Sequence, residues 1–124
     1  MNLVDSSGWL AFFADTQNAG EFSKAIEDLT SLLVPTIVMY EVTKVLLRER
    51  GEGAAILGQA HLQQGTVVDL DTEIAVNAAN LSLHHRLPMA DSIILATAQA
   101  HEATVWTQDD NFEGLPNVRY FAVG

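Results

Sequence analysis

Short apolar runs separated by helix-length stretches constrain this chain more than any other feature. Leu3-Val4, Leu32-Leu33-Val34, Thr66 to Leu70, Ala103 to Thr107 and Val118 to Val123 each read as a brief strand. Between them apolar residues recur at helical spacing: Phe22, Ile26 and Leu29 within 21–32, then Val38, Val42, Val45 and Leu46 within 36–50. The punctuation agrees. Asp5-Ser6-Ser7-Gly8 is helix-start chemistry, and Pro35-Thr36 opens a helix that Gly51 and Gly53 break. A further helix runs to about Gln64, Asp71-Thr72 caps one to about His85, and Leu87-Pro88 starts one to His101. Strands that are apolar on both sides need covers on both sides, and alternating helices supply them. The expectation is an α/β fold built on a parallel sheet covered on both faces.

The chain has 124 residues, enough for one domain over 1–124 with its own core. Composition adds exclusions. There is no cysteine, which removes a disulfide scaffold, a cysteine zinc site and a thiol nucleophile. No apolar run approaches the ~20 residues that span a bilayer. The start lacks the basic segment and long apolar core of a signal peptide, so the expected setting is cytoplasmic, with no membrane. Six basic residues against 16 acids leave a net charge of −10, which repels phosphate backbones. Several acids gathered in one cleft could nonetheless hold a divalent cation, whose charge inverts that local field.

In an open parallel sheet, ligands sit beyond the carboxyl ends of the strands, where strand order reverses. Four acids follow strands or lie on the helices next to them. Asp5 follows the first strand directly, although a helix N-cap is its ordinary use. Glu41 falls in or beside the apolar stripe of its helix, where a carboxylate costs several kcal/mol unless paired, protonated or metal-bound. A pairing with Lys44 is its ordinary alternative. Asp91 shares a face with Leu87, Ile94, Leu95 and Ala98; complementing the helix dipole would explain its position in the first turn but not its buried side. Asp109 follows the fourth strand in Asp109-Asp110-Asn111, which is also plain turn chemistry. Taken together, all four can converge at one sheet edge, and such a cluster cannot fully ionise without a compensating cation. Oxygen ligands without cysteine or paired histidine suit Mg²⁺, with Mn²⁺ as a substitute, rather than zinc.

These segments resemble the PIN-domain ribonucleases, specifically the VapC-type toxins of toxin–antitoxin pairs. The resemblance is carried by Leu3-Val4-Asp5-Ser6-Ser7, by Tyr40-Glu41-Val42, by Leu87 through Ala98 with its Pro-x-x-Asp segment, and by Thr107-Gln108-Asp109-Asp110-Asn111-Phe112. It extends over essentially the whole chain, and spacing to Phe112 selects Asp109 over Asp110. It implies a three-layer α/β/α fold on a central, mostly parallel sheet of four or five strands. It also implies a Mg²⁺-dependent endoribonuclease restrained by a cognate antitoxin, with a homodimer as a plausible assembly. Asp5, Glu41, Asp91 and Asp109 would form the catalytic cluster, with Ser6 and Thr107 as supporting hydroxyls. Asp5 and Asp91 would hold the principal Mg²⁺, and Glu41 and Asp109 would complete the site.

RNA also needs cations. Lys44 and Arg86 are the expected contacts, because they stand near Glu41 and Asp91 in sequence. The first helix, with Trp9, Phe12 and Phe13, is apolar nearly all round and reads as core, or as a partner surface where exposed. His61, His84, His85 and His101 lack zinc-ligand spacing and read as surface residues. Asp69-Leu70-Asp71-Thr72 resembles the start of a phosphatase motif, but Glu73 stands where Thr or Val is needed, so capping by Asp71 is the better account. Two other readings stand beside the nuclease: a silent PIN-like partner-binding module, and a receiver-type phosphoacceptor. The second lacks the expected acidic pair after the first strand and the late lysine.

Overall fold

A computed structural model describes residues 1–124. Its centre is the strand β1 (Asn2–Val4), flanked by β2 (Leu32–Pro35) and β4 (Thr104–Thr107), with β3 (Thr66–Val68) and β5 (Val118–Tyr120) at the edges. Every neighbouring pair in the order β3-β2-β1-β4-β5 is parallel. Connecting these strands are α1 (Ser6–Ala14), α2 (Ala19–Ile26), α3 (Thr36–Arg50), α4 (Glu52–Leu62), α5 (Thr72–His85) and α6 (Met89–Ala100). The mixed α/β architecture with a five-stranded parallel sheet is the one the residue pattern predicts.

The chain moves one way across the sheet through β1, β2 and β3, then returns past β1 to β4 and β5. Parallel crossovers are right-handed, so the two directions of travel put their helices on opposite faces. Both faces of the central strands are dry. Leu3, Val4, Leu32, Val34 and Val105 have no exposed surface, and Phe22, Ile26, Val38 and Ile94 pack into the same core. The edge strand β3 is exposed along Thr66 and Val67. The turn of direction between β1 and β4 is the switch point at which this topology leaves a crevice.

Several element boundaries differ from the sequence reading, among them the fifth strand, which stops at Tyr120, short of Val123. The helical periodicity to Leu32 is cut short: α2 ends at Ile26, and a single 3-10 turn over Leu29–Ser31 leads into β2. Leu32 pairs with Asn2 in the sheet, so the chain has to leave the helix before it, and Leu29 is exposed rather than on a buried stripe. The third strand stops at Val68, short of Leu70. No helix is long and apolar enough to cross a membrane.

Helix α1 approaches β1 unusually closely. A Cβ at Gly8 would stand 2.6 Å from Val4 Cγ1 and 2.8 Å from the Phe22 ring. Glycine is therefore what lets the first turn of α1 settle beside the end of β1. Trp9 on the same helix is fully buried, while Phe12 and Phe13 are half-buried. The ring of His61 on α4 packs edge-on against all three, with centroids 5.1–5.8 Å away. His61 is thus a packing residue, not the surface residue its spacing suggested, and the aromatic face of α1 is largely core.

Candidate active site

Strand β1 ends in Asp5, whose backbone N–H continues the β1–β4 ladder by donating to Trp106 O at 3.1 Å. That register carries the side chain to the β1–β4 switch point, where it is 2% exposed. Three donors surround it. Gly8 N and the Ser7 hydroxyl donate to Oδ1 at 2.9 and 2.7 Å, and the Thr107 hydroxyl donates to Oδ2 at 2.6 Å. The N-cap bond is present and is compatible with a site role: the bond from Gly8 fixes one oxygen and leaves the carboxyl at the sheet edge.

Each remaining acid reaches the same edge from a different element. Glu41, half-buried on α3, accepts from the Ser6 hydroxyl at 2.6 Å. Lys44 does not pair with it; its ammonium lies over the Tyr40 ring, 5.7 Å from the centroid. Asp91 sits in the first turn of α6 and accepts from the Asn111 amide at 2.9 Å. Asp109 follows β4; its backbone N–H donates to Thr107 Oγ1 at 2.9 Å, and its carboxylate accepts from Asn111 N at 2.9 Å. The Asx turn expected of Asp109 is present, and it holds the carboxylate beside the crevice.

Charge shows how close the four are. Burial pushes the Asp5 carboxyl up to about 7, with the charge of Asp109 adding, against hydrogen bonds from Thr107, Ser7 and Gly8 that favour the ionised form. Burial likewise pushes Asp91 up to about 6; the charges of Asp109 and Glu41 reinforce it, and the Asn111 amide opposes it. No cation relieves this repulsion, since the ion pairs of the chain are Lys24–Glu21 and Arg48–Glu49. A site of this kind favours either protons or a bound cation.

No three of the carboxylates are drawn together tightly enough to chelate an ion as they stand. The donor set still fits Mg²⁺, which keeps several waters and is commonly held through one or two carboxylates plus substrate phosphate. The histidines offer no competing site. His84 and His85 pack edge to face at 4.7 Å, and no histidine joins a group able to hold a metal.

Sequence reasoning named Asp5, Ser6, Glu41, Asp91, Thr107 and Asp109, and the fold brings all six to one edge. It missed Ser7 and Asn111. Ser7 donates to Asp5 and accepts from Gln108 N at 3.2 Å, closing the gap between β1 and β4. The local signal was available in Asp-x-Ser, the ordinary hydrogen-bonding partner spacing of a turn. Lys44 and Arg86 are exposed and paired with none of the acids. Asp71, in the rejected phosphatase-like segment, caps α5 by accepting from Ile74 N at 2.9 Å.

The largest groove lies elsewhere, an open space of about 660 Å³ lined by Met39, Tyr40, Leu47, Lys44, Arg48 and Gln59 along α3 and α4. It is an apolar furrow with a basic margin, whereas the acids occupy a shallow polar crevice.

An all-parallel α/β domain whose switch point gathers four acids and no cation defines an acidic-site α/β class. Within it, the chain belongs to the PIN domain family, which matches residues 3–117. No curated protein matches the sequence. Among solved structures, a chain of a toxin–antitoxin complex from Klebsiella pneumoniae superposes with a TM-score of 0.83 at 21% identity, covering 99% of this chain and 100% of that one. A sarcin-ricin loop cleaving VapC toxin of Mycobacterium tuberculosis gives a TM-score of 0.79 at 17% identity, covering 95% and 97%. A chain of DNA-bound VapBC from Salmonella typhimurium gives 0.76 at 15%, covering 98% of each. At such identities the likeness is one of fold.

Proposed function

We propose that this chain is a divalent-cation-dependent endoribonuclease, the VapC-type toxin of a toxin–antitoxin pair acting in the cytoplasm, with Mg²⁺ as the ion and Mn²⁺ able to replace it. The observation that carries the reading is Asp5: a carboxyl buried at the β1–β4 switch point, ringed by Glu41, Asp91 and Asp109, with no basic residue to neutralise it. PIN family membership and the toxin neighbours support it.

Asp5 and Asp91 would hold the cation. Burial raises both pKa values, so the ion would compete with protons for these carboxylates, more at Asp5 than at Asp91. Glu41, held by Ser6, and Asp109, held by the Asn111 N–H, would orient waters or complete the coordination. Ser7 and Thr107 keep Asp5 in one rotamer by donating to its two different oxygens. When bound, the cation lowers the pKa of a water and offsets the phosphate charge. Attack by that water needs no 2′-hydroxyl, so the products carry 5′-phosphate and 3′-hydroxyl ends. Lys44 and Arg86 would contact the RNA backbone, since both are free of ion pairs with the acids.

A protein partner is supported by the open groove along α3 and α4, whose apolar floor and Lys44–Arg48 margin suit an antitoxin segment. Exposed Leu83 and Met89 on α5 and α6 offer apolar surface for a homodimer.

The test is cleavage of a mixed RNA pool with and without Mg²⁺ or Mn²⁺, by the parent and by Asp91→Asn. Metal-dependent cutting that is lost in the folded variant supports the reading. Cutting that survives Asp91→Asn, or products ending in 2′,3′-cyclic phosphate, sinks it. Metal binding without cutting of any RNA favours the silent partner-binding module.

A further inference from the structure

Asn111 stands between two acids that come from different elements. Its side-chain amide reaches Asp91 Oδ2, on α6, at 2.9 Å, while its backbone N–H reaches Asp109 Oδ1, after β4, at 2.9 Å. The contrast with Asp5 is informative. Asp5 has three donors and almost complete burial, so its rotation is already restricted without Asn111. Asp91 is half-exposed, and the Asn111 amide is the one group that donates to its ionised carboxylate. Asn111 itself is exposed and lies in a short 3-10 turn, Asp110–Phe112, whose anchor is the buried Phe112 next to it. The amide therefore adds little to the core, and what it does is orient a carboxylate.

We propose that Asn111 is a positioning residue: its amide sets the rotation of the Asp91 carboxylate against Asp109, so that the two offer oxygens to one cation. The assignment rests on the metal-centred reading above. Without the amide, no donor holds Asp91 Oδ2, and the ionised carboxylate is left to rotate against the charge of Asp109. Partners that hydrogen-bond ligand carboxylates characteristically change metal affinity by about 10–100-fold.

The experiment titrates the full chain with Mn²⁺ and counts free ion by electron paramagnetic resonance, alongside metal-free thermal melting. Asn111→Ala removes the amide but keeps the backbone N–H to Asp109. Asn77→Ala is the control, because Asn77 makes an exposed amide contact of the same kind, to Gln99 Oε1 at 3.2 Å, away from the acids. The expected result is Mn²⁺ affinity weakened about tenfold in Asn111→Ala and unchanged in Asn77→Ala, with equal metal-free melting. Parental Mn²⁺ affinity in Asn111→Ala overturns the role, as does a metal-free melting loss well beyond that of Asn77→Ala. A parent that binds no Mn²⁺, or an Asp91→Asn variant that binds it like the parent, overturns the metal-centred reading itself and is recognised by that signature.

Discussion

The Thr107 hydroxyl donates to Asp5 Oδ2 at 2.6 Å, joining residues 102 positions apart in the chain. Thr107 Oγ1 also accepts from Asp109 N at 2.9 Å, so one hydroxyl on the last residue of β4 links the first and last of the four acids. Thr107 is completely buried. Thr107→Val keeps the shape and removes both bonds, leaving a buried carboxylate oxygen without its donor. The expected cost is about 1–3 kcal/mol of stability, larger at pH 8 than at pH 5, because the ionised form suffers the loss. Urea denaturation at the two pH values, without metal, measures it.

Asp5 makes the metal-free protein acid-favoured. Its folded pKa, about 7, lies above the ordinary 3.8, so between those values the folded state holds a proton that the unfolded state has released. Its contribution to stability is full below pH 3.8 and is lost as pH rises through about 7. Asp91, raised to about 6, acts in the same direction with a smaller effect because it is half-exposed. Asp5→Asn should therefore flatten the fall between pH 5 and pH 8 and raise the metal-free denaturation midpoint at the upper end. A midpoint at pH 8 no higher than the parent's counts against the burial argument.

Under the proposed function a divalent cation opposes that slope. Mg²⁺ would compete with protons for Asp5 and Asp91, so its stabilising effect should grow as the pH rises through about 6 and 7. Melting with and without saturating Mg²⁺ should show a larger gain at pH 8 than at pH 5. An equal gain at both would mean that the ion binds elsewhere.

Gly8 lies where β1, α1 and Phe22 meet. Adding a methyl group must displace Val4 or Phe22, since both lie under 3 Å from the new atom. Gly8→Ala is expected to cost about 1–3 kcal/mol, the usual range for overpacking. It should also lengthen the Gly8 N–H bond to Asp5, so Mg²⁺ affinity should fall with stability; calorimetry on the folded variant reads the second effect.

Much of the site was legible because each acid breaks a local pattern. Glu41 and Asp91 stand on faces that their apolar neighbours mark as inward, and Asp5 and Asp109 follow strands whose direction fixes the open edge. The ordinary readings were not rivals: Asp5 caps α1, Asp109 closes a turn, and both bonds hold the carboxylates in the crevice. Asn111 was illegible, since nothing in Asp-Asp-Asn-Phe says that the amide will meet a helix begun 22 residues earlier. The same holds for Lys44, whose nearness to Glu41 in sequence hid its contact with Tyr40.

By itself the sequence determined which segments become strands and helices, that the strands run parallel between two helical layers, and which acids face inward. Those properties follow from periodicity and capping, which act over a few residues and can be read locally. Tertiary structure alone decided where α2 yields to β2, that His61 packs under α1, and which hydroxyl or amide holds each acid. These depend on strand register and helix placement, where a shift of one residue exchanges every long-range partner while leaving the local pattern unchanged.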